Sequence, residues 1–333
     1  MVCLVDLILY SVGINTQLYT RSNYYKEQIS SEDLKNYGYR EDEDYVSQIR
    51  DGREHVGNKR CLFLTLCRDI SGAISTSCRN IEHMGSQFED YRVIVFENDS
   101  VDDSREKLKE WEVINSHVTL LECSDLGSRE CKLSRKHPKR EYGALGHGRI
   151  SVLTEYRNYC LDYVKKNYPD WDYVVVYDMD MRGGIHLDGF LQTFHNSQDW
   201  DVIAARGIKP IPLTWGYCNM IFDSMAFEEI GTTGEQTNYI YNFLKQQVYS
   251  KKLGSPYIPV ASAFNGLTVY KMLDLVTSGA RYEATNCEHV SFHRNLRTKG
   301  YNRMFINPSL IIQNGLDNET QLPLWTFLSW FRK

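Results

Sequence analysis

One stretch constrains this chain more than any other: Trp171 to Arg182, WDYVVVYDMDMR. Tyr173 to Tyr177 form an unbroken run of β-branched and aromatic residues, which specifies a buried strand rather than an amphipathic helix. The run stops at Asp178, Met179 and Asp180. Two carboxylates at i and i+2 off a strand end can reach one divalent cation, because hard ions such as Mg²⁺ or Mn²⁺ take oxygen ligands. A cation held by only two protein ligands keeps positions open for a diphosphate. The same residues also suit a solvated turn with two surface aspartates, so the flanking sequence has to decide.

Strand and helix patterns alternate around that stretch. CLFLTLCRD (Cys61 to Asp69) reads as a first buried strand, Ser75 to Phe88 as a helix, and RVIVF (Arg92 to Phe96) as a second strand. Asp102 or Asp103 is placed to cap a helix through Lys107 to Trp111, and HVTLLE (His117 to Glu122) is a third strand. Leu153, Tyr156, Cys160 and Tyr163 recur at helical spacing between Arg149 and Lys166. Downstream, Asp188 to Phe194 suggests a helix, and Asp201 to Ala205, Met220 to Phe222, Leu267 to Tyr270 and Met304 to Ile312 suggest strands, the last bent at Pro308. This alternation implies βαβ units and an α/β domain with a mostly parallel sheet flanked by helices. The expected boundaries are a polar lead-in over 1–59, the α/β domain over 60–315, and an apolar tail over 316–333.

With 333 residues the chain can bury a sizeable core, and its net charge of -5 argues against a general nucleic-acid binder. The 23 tyrosines suit stacking on sugars, although ordinary core and surface usage explains them equally. Nine scattered cysteines without a CxxC pair favour reduced thiols and the cytosol over a Golgi or ER lumen. The segment VCLVDLILYSVGI near the start is interrupted by Asp6, is too short to span a bilayer, and lacks signal-peptide features. It reads as a packed or loosely ordered arm, with a trimmed anchor as the alternative. The tail LPLWTFLSWFRK (Leu322 to Lys333) is apolar with a basic end, which suits either peripheral docking on a membrane surface or closure over the domain's own core.

In an open α/β sheet, ligands sit outside the carboxyl ends of the strands. The second strand ends in Glu97, Asn98 and Asp99, and the central one in Asp178 and Asp180. A carboxylate at the first of these ends can accept hydrogen bonds from ribose hydroxyls or a base N–H, so a nucleoside diphosphate would span both. Acidic strand ends are also common helix-capping devices. The long connection from Asp125 to Gly148 carries a basic patch (Arg129, Lys132, Arg135, Lys136, Lys139, Arg140), and connections of that length are usually functional or disordered.

Taken in order, VIVFENDSVDDSREKLKEW, RNYCLDYV, VVVYDMDM and SAFNGLTVYK with CEHVSFHRNLRTKGYNRMFINPSLI resemble nucleotide-sugar glycosyltransferases of the GT-A fold, over roughly residues 60–312. That resemblance implies a Rossmann-like sheet, a nucleotide-sugar donor, and a glycan or lipid-linked glycan as hydroxyl acceptor. It places Glu97, with Asp99 beside it, at the nucleoside and Asp178 and Asp180 at a Mn²⁺ or Mg²⁺ ion and the diphosphate. Arg157 and Asn158 fall at positions that suit donor binding, although a solvated helix face would also use them. His289 or His293 would complete the metal site. Glu288 would be the general base, with Asp223 as a rival. Two features depart from the simplest pattern: the second-strand turn is E-N-D-S rather than an Asp-Asp pair, and the basic connection is long. A sugar nucleotidyltransferase expects a glycine-rich basic loop after the first strand, where CLFLTLCRDISGA offers only Arg68 and Gly72. A non-catalytic sugar- or nucleotide-binding module is the third reading.

Overall fold

The computed structural model describes residues 15–19, 29–36, 39–123, 147–213, 216–223, 225–231, 248, 250–285 and 287–314. The expected N-terminal arm, most of the basic connection and the apolar tail lie outside these residues. Among the described residues, no helix is long and apolar enough to cross a membrane.

Strands β2 (Arg60–Cys67), β3 (Asp90–Glu97), β4 (Val118–Glu122) and β5 (Tyr173–Tyr177) form a parallel block in the order β4-β3-β2-β5. The helices between them are α3 (Ile74–Gly85), α4 (Ser104–Ile114) and α5 (His147–Asn167). The chain then turns through α6 (Leu187–Gln192) into β6 (Val202–Leu213) and β7 (Gly216–Phe222), which pair antiparallel. β9 (Leu267–Lys271) lies between β5 and β6 and runs antiparallel to both, so β6 again points along β5. β10 (Met304–Gln313) adds parallel to β6, and the short β8 (Ile258–Pro259) pairs with β10. β1 (Asn15–Tyr19) pairs with β7 at the far edge. The result is a mixed α/β sheet, mostly parallel and flanked by helices, as the strand–helix alternation implies. The reversals at β7 and β9 were not anticipated, because side-chain alternation reports which residues are buried and carries no strand direction.

β5 sits at the middle, between β2 and β9, with all five residues buried. Its alternation divides the core. Val174 and Val176 join Leu62, Leu64, Ile94 and Phe96 beneath α5, α7 (Met272–Ser278) and α8 (Glu288–Thr298). Tyr173, Val175 and Tyr177 join Phe63, Val93 and Val95 on the side of α3, α4 and α6. Each large apolar side chain fully buried here contributes about 1.5–3 kcal/mol. The pro-bend expectation is met as a register shift: pairing of β10 with β6 slips between Ile306 and Ile311, around the proline that cannot donate to the ladder.

The lead-in is less exposed than its polar composition suggests. Helices α1 (Ser31–Asn36) and α2 (Tyr45–Val56) bury Leu34, Tyr45 and Val56, and α2 packs so closely on α6 that a Cβ on Gly52 would collide with the Leu191 carbonyl. Residues 29–36 and 39–56 therefore pack against the α/β body, because a few well-spaced apolar side chains suffice to dock a helix. The thiols Cys61, Cys67, Cys78, Cys160 and Cys287 are free and buried, whereas Cys123 departs from the all-thiol expectation and is disulfide-bonded. Pairing depends on spatial proximity, which cysteine spacing along a long chain does not report.

Candidate active site

The carboxyl edge of the parallel block gathers three acidic groups. The turn after β5 alternates: Met179 and Met181 are fully buried, Asp180 is exposed, and the Asp178 side chain is 30% exposed. The Asp178 amide donates to Gly266 O at 3.0 Å, and Met181 N donates back to Asp178 O at 3.3 Å, closing the turn. Further along, Gly183 N donates to Gln313 O and Gln313 N to Gly184 O. A Cβ on Gly183 would collide with Gln313, so the close approach to β10 requires glycine there.

Arg157, buried on α5, reaches the turn from the opposite face. Its Nη2 donates to Asp178 Oδ1 at 3.4 Å and its Nε to Glu288 Oε1 at 3.1 Å. One guanidinium thus bridges the β5 turn and the first residue of α8. Its Cζ lies 5.5 Å from the Phe264 ring centre and 6.0 Å from that of Tyr282. Burial alone would weaken its charge, but Glu288 and Asp178 more than offset this and hold its pKa above the usual arginine range. Burial pushes the Asp178 carboxyl up to about 7, with Arg157 opposing and Asp180 and Glu288 adding to the rise. Asp223 is likewise raised, by burial first and by the nearby Glu288 charge; its Oδ1 accepts the Met225 amide.

Asn158, the neighbour of Arg157, has a different task. Its Nδ2 donates to Tyr282 O and its Oδ1 accepts from Tyr282 N, each at 3.0 Å. Both ends of the amide are engaged, so the side chain fixes the Tyr282 backbone.

The two histidines of α8 separate sharply. His293 is fully buried, with Nδ1 2.8 Å from Ser262 Oγ and Nε2 2.8 Å from Tyr270 OH. The Ser262 proton goes to Ala226 O, so Ser262 accepts from Nδ1–H and Tyr270 donates to Nε2. That ring has no lone pair left for a cation, and it drops out of the expected metal ligands. His289 is also buried, stacked on Phe264 at 3.6 Å, and neither of its nitrogens has a hydrogen-bond partner among the described residues. Its Nε2 lies 3.8 Å from Glu288 Oε1. Burial, aided by the Arg157 charge, holds its pKa well below the usual imidazole value, so the ring is neutral.

At the end of β3, separated from β5 by β2, Glu97 is fully buried. Its Oε1 accepts Ser100 N at 2.6 Å, while Oε2 accepts Arg105 Nε at 2.9 Å and pairs with Nη2 at 2.8 Å. A nucleoside cannot touch it in this conformation, because the carboxylate holds its own loop together. Asp99, in the left-handed region at φ 55, is partly exposed and also pairs with Arg105 at 3.2 Å. Arg105 and Ser100 are not distinctive in the sequence; only the fold shows what they hold.

Among the described residues, no three His, Cys, Asp or Glu side chains form a closed metal cage. Asp178 and Asp180 therefore suit a cation only as a two-carboxylate site with open positions, a donor set matching hard ions.

No protein-family model and no curated protein matches the sequence. Among solved structures, the chain is similar to a 1-349 fragment of TarS from S. aureus, at 9% identity and a TM-score of 0.44, over 77% of this chain and 60% of that one. It is also similar to the mannosyltransferase PcManGT from Pyrobaculum calidifontis, in complex with GDP-Man and Mn2+, at 10% identity and a TM-score of 0.45, over 87% of this chain and 73% of that one. The chain thus spans less than two thirds of the length of the TarS fragment.

Proposed function

We propose that this chain is a glycosyltransferase that moves a sugar from a nucleotide-diphosphate donor to a hydroxyl of a glycan or lipid-linked glycan. The observation that carries the reading is the span of Arg157, which joins Asp178 at the end of β5 to Glu288 at the start of α8. Asp178 and Asp180 would hold a Mn²⁺ or Mg²⁺ ion. When bound, that ion supplies neutralisation of the charge on a leaving diphosphate. Glu288 is the proposed base for the acceptor hydroxyl, and Arg157 orients it through Oε1. His289 is the α8 histidine whose nitrogens remain available to the site. Asp99, with Arg105 behind it, replaces Glu97 as the acidic group placed to meet a nucleoside.

The test is sugar transfer and release from a panel of uridine- and guanosine-diphosphate sugars, with Mn²⁺ and with chelator. Metal-dependent turnover that disappears in Asp178→Asn and Glu288→Gln supports the reading. A folded parent that binds no nucleotide diphosphate, with or without Mn²⁺, removes it. Peripheral membrane contact through 322–333 belongs to the same proposal. A truncation after Asn318 that still pellets with anionic vesicles would rule out that contact.

A further inference from the structure

Helix α3 carries two poor helix formers in its interior, Ser77 and Asn80, and both are fully buried. A serine in mid-helix commonly bonds back to the carbonyl four residues earlier. Ser77 instead points off the helix, with Oγ 2.8 Å from Met179 O and 3.0 Å from Met181 O. Asn80 Nδ2 donates to Gly183 O at 3.1 Å and to Tyr177 OH at 3.2 Å. The Tyr177 hydroxyl, at the last residue of β5, lies 3.5 Å from Ser77 Oγ.

These contacts have one consistent direction of donation. The amide nitrogen of Asn80 can only give its hydrogens, so the Tyr177 oxygen accepts and its own proton turns toward Ser77. The single Ser77 proton is then shared between the two methionine carbonyls. Those carbonyls belong to the residues that alternate with Asp178 and Asp180. Holding them toward α3 fixes the backbone so that Met179 and Met181 enter the core while Asp178 meets Arg157 and Asp180 is exposed.

We propose that Ser77, Tyr177 and Asn80 form a buried positioning relay that sets the carboxylate turn for cation binding; this rests on Asp178 and Asp180 being the cation ligands. None of the three touches the cation or substrate. They act through the backbone of 179–183, as hydrogen-bonded supports of metal ligands elsewhere act on affinity. Hydrogen bonds in such a chain polarise one another, so loss of one member weakens the rest.

The experiment uses the full chain with Ser77→Ala and Tyr177→Phe, two changes that remove a hydroxyl and add no bulk. Mn²⁺ affinity is measured by calorimetry, and amide hydrogen exchange is followed across 178–183 and across β2 and β3. Ser77→Ala is expected to weaken Mn²⁺ binding by about ten-fold or more, and Tyr177→Phe by a smaller factor. Exchange in 178–183 should accelerate while β2 and β3 keep their protection. Parent-like Mn²⁺ affinity in both variants overturns the relay, and so does uniform loss of protection through the sheet, which marks a merely structural role. If Ser77→Ala does not fold, Tyr177→Phe decides by the same readouts. If the parent itself binds no Mn²⁺, the functional reading falls. The relay is then judged on exchange alone, faster exchange confined to the turn upholding it and unchanged exchange ending it.

Discussion

The strands β3 and β5 both end in acidic turns on the same edge of the sheet, yet the two turns are built in opposite ways. After β3, a carboxylate holds the backbone: Glu97 accepts the Ser100 amide and Arg105, and disappears from the surface. After β5, a neighbouring helix holds the backbone through Ser77, while Asp180 is exposed and Asp178 keeps part of its side chain exposed beside Arg157. A strand-end carboxylate thus stays at the surface where another group satisfies the turn's own polar atoms. The helix α8 repeats the contrast one turn apart, with His293 saturated and His289 open.

If that difference is real, equivalent changes at the two strand ends should fail in different assays. The largest effect is expected from Asp178→Asn and Asp180→Asn, which should abolish Mn²⁺-dependent donor binding in calorimetry. For the exposed Asp180 the stability change should stay within about 0.5 kcal/mol. Donor binding of parental strength in either variant would erase the functional side of the contrast. Arg157→Met should come next, costing about 3–5 kcal/mol in denaturant unfolding because two carboxylates lose a buried partner. Glu288→Gln removes the proposed base without removing a hydrogen-bond acceptor. Its kcat should fall by about 10²–10⁴-fold with little change in KM.

Glu97→Gln probes the other strand end. It should cost about 1.5–3 kcal/mol of stability through weakened charge-assisted bonds, and any loss of donor affinity should follow from the loosened loop. Unchanged stability with abolished donor binding would mean that Glu97 contacts the ligand after all.

The smallest effect is a pH slope. Burial lowers the pKa of His293 from 6.5 to about 3. Between those values the unfolded chain takes up a proton at this ring that the folded one refuses, so the His293 contribution to stability rises with pH from about 3 to 6.5 and is flat above. His289 and His186, also lowered by burial, add slopes of the same sign. Melting temperature followed from pH 7 downward should fall less steeply in His293→Gln than in the parent. Equal slopes would mean that His293 is protonated in the fold.

Much of the architecture was legible because it rests on local patterns. The run Tyr173 to Tyr177 is the observed extent of β5, and the expected helix over Arg149 to Lys166 is α5 with one or two residues added at each end. A continuous apolar run or a helical period records burial directly, since water excludes such side chains wherever the chain goes. Residue chemistry likewise marked Asp178, Asp180, Arg157 and Glu288 as candidates, and the fold brings Asp178, Arg157 and Glu288 together. What no local pattern could carry was the fate of each polar atom. Ser77 lies 102 residues from Met179, and Asn158 lies 124 from Tyr282. A hydrogen bond acts over about 3 Å, so whether a side chain is already engaged depends on chain segments brought together by packing. For that reason Glu97, Asn158 and His293, which sequence marks as candidate ligands, have internal hydrogen bonds that no local pattern foretold. The direction of β7 and β9 was settled the same way, by the connections that the whole sheet could accommodate.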